Sequence, residues 1–138
     1  MTVITKEVAI TTKGYSDVCD ITPQLVEFVR DLPFSEGSVT VFVPGSTAGV
    51  TTIEFEPGAV EDLQNAFERL IPRTAEYKHN RRWGDGNGFS HVRAALCKAS
   101  LTIPFVAHRP VTSTWQQVVC IDFDNRERHR KLIFQATG

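Results

Sequence analysis

Short runs of alternating apolar residues, each closed by a Pro-Gly pair or another turn signal, constrain the fold of this chain most strongly. Val39, Val41 and Val43 alternate with other side chains as far as Pro44-Gly45, and an extended pattern resumes over residues 50–56 until Pro57-Gly58. Side chains two apart on a strand share a face, so such runs bury one face of a sheet. The two runs predict a β-hairpin.

Further elements follow from the same patterns. Apolar residues recur at helical spacing in two long segments, one from Thr22-Pro23 to Pro33 and one from Pro57-Gly58 to Pro72. A shorter helix is predicted from His91 to Cys97. Additional strands are predicted at residues 2–12, 15–21 (pairing back onto the first strand), 101–107, 111–123 and 131–136. About seven strands with two main helices predict the α+β class, with mostly antiparallel β-sheets in a sandwich-like arrangement.

Length, charge and cysteine content restrict the class of protein. The chain has 138 residues, of which 41% are hydrophobic, so a single domain over 1–138 is expected. A formal net charge of −1 argues against a nucleic-acid or membrane partner. The three cysteines are widely spaced, which is typical of reduced thiols, and no segment has the apolar length of a membrane span. We expect a cytoplasmic protein.

Residues 83–91 carry the densest group of chemically useful side chains. Three glycines in this segment let the backbone adopt positive φ and approach a ligand closely. Asp85, Asn87, Ser90 and His91 offer a carboxylate, an amide, a hydroxyl and an imidazole, and His79 lies just upstream. We predict a polar site here, with His79, Asp85 and His91 as catalytic groups and Asn87 and Ser90 as substrate-binding groups.

His79 and His91 also suggest a metal site. If folding brings the two rings together, they would bind a divalent ion, Zn or Mg, through two imidazole nitrogens. Asp85 or Glu54 would supply an oxygen ligand. No His-x-x-x-His pair or Cys-x-x-Cys knuckle accompanies them. The alternatives left open are a shared polar pocket without metal, and one exposed histidine beside one hydrogen-bonded histidine.

Carboxylates and hydroxyls on the predicted hairpin are further candidates. Glu54 and Glu56 lie two apart on a predicted strand, so both project from one face, and such a pair suits general acid or base chemistry. Ser46 and Thr47 follow the Pro44-Gly45 turn, where free backbone N–H groups bind anions. The alternative is that their hydroxyls only satisfy the turn.

Basic residues cluster twice, at 78–82 and at 126–131. Arg81 and Arg82 adjoin the predicted site, and a planar guanidinium fork suits a phosphate, so both are candidate substrate-binding residues. The second cluster is predicted to be a solvated hairpin. For either cluster, a charged surface that keeps the protein soluble is the alternative.

Several motifs occur together and in order. They are Ser46 to Glu54, Tyr77-Lys78-His79, Gly84-Asp85-Gly86-Asn87 with Ser90-His91, Ser100 to Phe105, and Thr114-Trp115-Gln116-Gln117. This set resembles the YjbQ-like family, also called the secondary thiamine-phosphate synthase family. The resemblance implies an α+β sandwich-like homotrimer with a pocket, favours Glu54 over Glu56, and gives Gln116 a substrate-binding role. The activity it implies is condensation of a pyrimidine pyrophosphate with a thiazole phosphate.

One position departs from that family. Many members carry a histidine immediately before the Ser/Thr-Thr-Ala segment, where this chain has Gly45. A metal site would have to do without that histidine or recruit His108, which stands where the family more often has glycine.

The expected function is binding of a small phosphorylated or anionic metabolite, with weak thiamine-phosphate synthase activity as the transferase chemistry that the resemblance implies. Arg81 or Arg82 with Asn87 would stabilise the departing pyrophosphate, while the histidines and Asp85 orient groups or move protons. A non-catalytic metabolite- or metal-binding trimer and a metal-dependent hydrolase remain the alternatives.

Overall fold

The computed structural model describes all 138 residues and contains eight strands and four helices. The strands are β1 (Val3–Thr12), β2 (Asp17–Asp20), β3 (Gly37–Phe42), β4 (Ala48–Ile53), β5 (Ser100–Val106), β6 (Arg109–Pro110), β7 (Gln117–Asp122) and β8 (Arg128–Thr137). The helices are α1 (Thr22–Arg30), α2 (Pro57–Leu70), α3 (Lys78–Trp83) and α4 (Gly88–Cys97). None of these helices combines the length and apolar character that a membrane crossing requires.

The strands form two antiparallel sheets, which confirms the predicted α+β class. The larger sheet has the order β1-β8-β3-β5-β6 and the smaller one β2-β7-β4. The main core lies between them, where Val41 and Phe134 of the larger sheet join Val118 and Cys120 of the smaller sheet and Leu25 of α1. A second core covers the other face of the smaller sheet with side chains of α2 and α4. The smaller sheet is therefore buried on both faces.

The predicted hairpin over residues 39–56 is wrong. β3 pairs with β5 and β8, whereas β4 pairs with β7 in the other sheet. The turn at 43–47 therefore crosses from one sheet to the other. β2 likewise pairs with β7 and does not pair back onto β1. Alternation of apolar residues identifies a strand and its buried face, but it does not identify the strand's partner.

Helix starts also differ from the sequence-based expectation. β4 ends at Ile53, and Glu56 is the N-cap of α2, where its carboxylate accepts hydrogen bonds from the backbone N–H groups of Gly58 and Ala59. Glu54 and Glu56 therefore do not share a strand face. α4 begins at Gly88 instead of His91, and α3 was not predicted from the sequence.

Candidate functional site

The site begins where α3 ends and α4 starts. Gly84 closes α3 in the left-handed conformation, with φ +71°, and its N–H donates to the Asn80 carbonyl at 2.8 Å. The Asn80 side-chain oxygen accepts a hydrogen bond from the Gly88 N–H at 2.8 Å. A Cβ on Gly88 would lie 2.6 Å from the Tyr77 Cβ, so only glycine lets α4 start this close to α3. The two helices thus bring His79 and His91 together.

The two histidine rings lie against each other, and each Nδ1 has an oxygen atom nearby, although only His91 Nδ1 makes a hydrogen bond. Their ring centroids are 4.4 Å apart, with the planes tilted by 47°. His79 Nδ1 lies 3.3 Å from Asp85 Oδ1, and His91 Nδ1 lies 3.2 Å from the Ser46 carbonyl oxygen. A carbonyl oxygen only accepts, so this contact requires a proton on His91 Nδ1, and Nε2 has no hydrogen-bond partner in the protein. The structure therefore brings Ser46, His79, Asp85 and His91 to one place.

A cavity of about 290 Å³ opens beside this pair. It is lined by Gly45, Ser46, Ala48, His91, Ala94, Ala95, Lys98 and Ala99. The walls come from the turn before β4 and from one side of α4. Small side chains make the space, while His91 and Lys98 supply the polar and cationic groups. The lining contains no carboxylate, which favours an anionic over a cationic occupant.

The buried Arg93 fixes α4 against the rest of the protein. Its Nε and Nη2 donate to the Ile71 carbonyl at 3.1 and 2.8 Å, Nη2 also bonds Glu68 at 2.7 Å, and Nη1 donates to Ser16 Oγ at 2.9 Å. The guanidinium also lies over the Phe89 ring, 4.9 Å from its centroid. A helix held by a fully bonded buried arginine presents His91 in a defined position.

Sequence reasoning missed a buried network of two aspartates and two arginines behind the cavity. Asp122 and Asp124 are fully buried. Arg130 binds Asp122 through Nε at 2.8 Å and Nη2 at 2.9 Å, and Arg128 binds Asp124 through Nε at 2.8 Å and Nη2 at 2.5 Å. The prediction that residues 126–131 form a solvated hairpin holds only in part. β7 and β8 lie in different sheets, and β8 turns the Arg128 and Arg130 guanidinium groups inward, whereas the other four residues of the segment are exposed.

Hydrogen bonds also set the ionisation of this network. Burial opposes the charge on Asp124, but the hydrogen bonds from the Asn125 N–H, Arg128 and Asn87 outweigh it and hold the pKa of this carboxyl below its ordinary 3.8. Burial likewise acts against the charge of Arg130, and the hydrogen bonds and charge of Asp122 overcome it and raise the pKa of Arg130.

Three predicted binding residues belong to this buried region. Thr47 Oγ1 donates to Asp124 at 3.2 Å and accepts from Arg130 Nη2 at 2.7 Å. Asn87 Nδ2 donates to Asp124 at 3.3 Å, whereas its Oδ1 is buried without a partner. Ser90 is fully buried, and its hydroxyl donates to the Asn87 carbonyl at 2.5 Å. All three hold the turn and the start of α4 in place.

Other predicted residues do not line this cavity in the protomer. Arg81 pairs with Glu76 at 2.6 Å, and the Arg82 guanidinium lies 5.7 Å from the centroid of the Trp83 ring. Glu54 is exposed beyond the end of β4, roughly 26 Å along the chain from Ser46 at the usual rise of a strand. Gln116 lies at that same end, where its Nε2 is 3.4 Å from Thr52 Oγ1.

None of the cysteines has the character of a nucleophile. All three are free thiols. Burial raises the pKa of Cys97 to about 11 and that of Cys120 to about 12. Burial and the neighbouring Asp17 carboxylate raise the pKa of Cys19 to about 12. A reactive cysteine needs a thiolate, so covalent chemistry at sulfur is not supported.

The histidine pair alone does not fit a zinc centre with three protein ligands. No group of three or more His, Cys, Asp and Glu side chains lies at metal-ligand spacing. Gly45 supplies no ligand at the turn beside His91, and His108 lies in the turn between β5 and β6, where its N–H donates to the Ser35 carbonyl. Catalytic zinc commonly takes three protein ligands. A divalent ion held by His79 and His91 therefore stays a prediction.

Comparison with known proteins decides the family. The family model described as "UPF0047 protein YjbQ-like" matches residues 6–138. The chain belongs to the UPF0047 YjbQ-like family. A UPF0047 protein of Archaeoglobus fulgidus is 31% identical over 130 residues, which cover 94% of this chain and 98% of the relative. A UPF0047 protein of Mycobacterium tuberculosis is 39% identical over 101 residues, covering 72% and 75%.

Solved structures of UPF0047 YjbQ-like relatives share the whole fold. A crystal structure from Sulfolobus solfataricus, described as a YbjQ-like protein of unknown function, has a TM-score of 0.93 at 25% identity and covers 99% of this chain and 98% of that one. A family member from Clostridium acetobutylicum has a TM-score of 0.87 at 27% identity, with 96% and 99% covered. The two-sheet architecture is therefore that of the UPF0047 YjbQ-like family.

Proposed function

We propose that this protein binds a small phosphorylated or otherwise anionic metabolite in the cavity between the Gly45 turn and α4. The observation that carries the proposal is the His79–His91 pair, in which His91 lines the cavity and bonds the Ser46 carbonyl, while the Asp85 carboxylate lies 3.3 Å from His79 Nδ1. Each Nδ1 has an oxygen neighbour, so each Nε2 is left for a ligand. Lys98 adds a positive charge to the same cavity.

The enzymatic form of this proposal is the transferase reaction implied by the resemblance to secondary thiamine-phosphate synthases. The thiazole nitrogen attacks the methylene of the pyrimidine, the methylene–oxygen bond breaks, and pyrophosphate leaves with the electron pair. Such a step needs stabilisation of the leaving charge more than a strong nucleophile. Arg81 pairs with Glu76 and neither Arg81 nor Arg82 lines the cavity in the protomer, so we assign that stabilisation to Lys98 and His91, with His79 and Asp85 positioned beside them.

We further propose that the protein works as a homotrimer. Glu54 and Gln116 lie at the far end of β4 from the histidine pair, so they join the site only if a neighbouring copy supplies them. Trp115, next to Gln116, is 73% exposed in the protomer, and Phe55 beside it is exposed as well. Exposed aromatic side chains in one region are typical of an interface.

The three free thiols support the cytoplasmic location expected from the sequence.

The test is calorimetric titration of the purified protein with inorganic phosphate and with pyrophosphate, each with and without added Mg²⁺ or Zn²⁺. Replacing His91 by alanine should weaken binding at least tenfold, because the variant loses the oriented imidazole. Its free energy of unfolding should change by only about 0.5 kcal/mol, since His91 is not a core side chain. Arg69→Ala, an exposed change on α2, is the matched control and should bind as the wild type does.

Assays of product formation distinguish the transferase, the metabolite-binding protein and the hydrolase. Product formed from a pyrimidine pyrophosphate and a thiazole phosphate supports the transferase, and binding without turnover supports a metabolite-binding protein. Hydrolysis of a phosphate ester only when metal is added supports the hydrolase. A His91→Ala variant that binds phosphate normally and unfolds far more easily would show that His91 is a structural histidine.

A further inference from the structure

Arg130 is held in place by hydrogen bonds, but one of its side-chain nitrogens has no partner in the protein. Its Nε and Nη2 are bound by Asp122, and Nη2 also donates to Thr47. No protein group accepts a hydrogen bond from Nη1. The buried side-chain atoms without a partner belong to Gln24, His79, Asn87 and His108, so Nη1 is not among them and reaches solvent. The Arg130 side chain as a whole is only 10% exposed.

Gly45 is the residue that leaves Nη1 uncovered. A Cβ built on Gly45 would lie 3.0 Å from Arg130 Nη1 and within 4 Å of no other heavy atom outside its own chain neighbours. Any other residue at this position would therefore place its side chain against that nitrogen. Gly45 also has φ +111°, a conformation that L-residues rarely adopt, and it lines the cavity beside His91 and Lys98.

We propose that Arg130 Nη1, reached past Gly45, is the fixed donor that binds a phosphate group of the ligand. This inference rests on the proposed function and names the part of the ligand that is recognised. The oxyanion would lie in the cavity that Gly45, the residue next to Nη1, lines together with Lys98 and His91. The guanidinium is already ordered by Asp122 and Thr47, so little side-chain entropy is lost on binding.

The direct test uses the wild-type protein labelled uniformly with ¹⁵N, so that arginine, histidine and lysine side chains are all observed. Titration with inorganic phosphate should shift the Nη resonances of Arg130 with the same dissociation constant that calorimetry gives. Arg128 is the internal control, because it is held by Asp124 in the same network and has no contact with Gly45. Its resonances should move much less.

The outcomes are distinguishable from those of the proposed function. Shifts at the His91 and Lys98 signals without a shift at Arg130 would overturn this inference and leave the phosphate site standing. An absence of shifts anywhere in the protein would overturn both.

A variant gives a second test. Gly45→Ala covers Nη1 without touching the Asp122 pair and should weaken phosphate binding at least tenfold. Gly86→Ala is the matched control, because Gly86 also has positive φ, +70°, and its Cβ would meet nothing nearer than Asn125 Nδ2 at 3.9 Å. Equal binding by the folded Gly45→Ala protein and by wild type would overturn the inference. Should Gly45→Ala fail to fold, the titration of the wild-type protein decides the question.

Discussion

At the scale of single residues, the sequence located the histidine pair but missed the charges behind it. The motif around residues 83–91 predicted a polar site, and His79, Asp85 and His91 do lie together. The signal for the missed network was present, because Arg128 and Arg130 lie two apart, as do Asp122 and Asp124. A charge-rich segment is usually solvated, so nothing in the sequence alone showed that these four charges face each other.

The ionisation of Asp124 leads to a prediction about acid stability. Its pKa in the folded protein is below the ordinary value, so the unfolded chain binds a proton more readily. The stabilisation from this carboxylate is therefore complete above the unfolded pKa of about 4 and is lost as the pH falls through the lower folded value. Asp124→Asn should be less stable than wild type at pH 7 and should lose less stability between pH 4 and pH 2.

Urea unfolding midpoints at several pH values measure this difference. Asp62→Asn, an exposed position on α2 without an ion pair, is the control and should follow the wild-type acid profile. Parallel acid profiles for wild type and Asp124→Asn would contradict the role given to this carboxylate.

At the scale of elements, the sequence predicted helices and strands where the apolar pattern extended over many residues. It did not predict where these elements end or which strands pair. The two long helices lie close to where apolar spacing predicted them. The β3–β4 hairpin failed because the turn at 43–47 joins two sheets, which local alternation cannot report. α3 was missed because only Lys78–Trp83 form it, too few residues for a clear helical period.

The start of α2 provides a prediction at this scale. The Glu56 carboxylate accepts from two backbone N–H groups that otherwise have no partner in the helix. Glu56→Ala should therefore lower the free energy of unfolding by about 1 kcal/mol. Chemical denaturation measures the loss, and Glu56→Asp should restore part of it. Glu61→Ala, exposed within the same helix, should be nearly neutral; a loss as large as that of Glu56→Ala would show that the cap is not responsible.

At the scale of the whole molecule, the proposed trimer is testable by mass. Light scattering should give about 46 kDa, three times the 15.4 kDa of the chain. Trp115→Ser should shift the mass toward a single chain, since the indole is exposed in the protomer and its loss leaves no cavity in the core. Leu70→Ser, at the exposed end of α2, is the control and should keep the wild-type mass. A wild-type monomer at micromolar concentration would contradict the proposal.

The strand order also determines when this protein can fold during its synthesis. β8 lies inside the larger sheet, next to both β1 and β3, and β7 lies between β2 and β4 in the smaller one. Both of these strands are made after all the others. On the ribosome, β1, β2 and β4 therefore have no partner until β7 and β8 emerge, whereas β3 can already pair with β5. Pairing with β7 and β8 then closes long loops. Neither sheet is complete before β7 and β8 have been synthesised, and until then the unpaired strands are protected only by chaperones or by their own low tendency to aggregate.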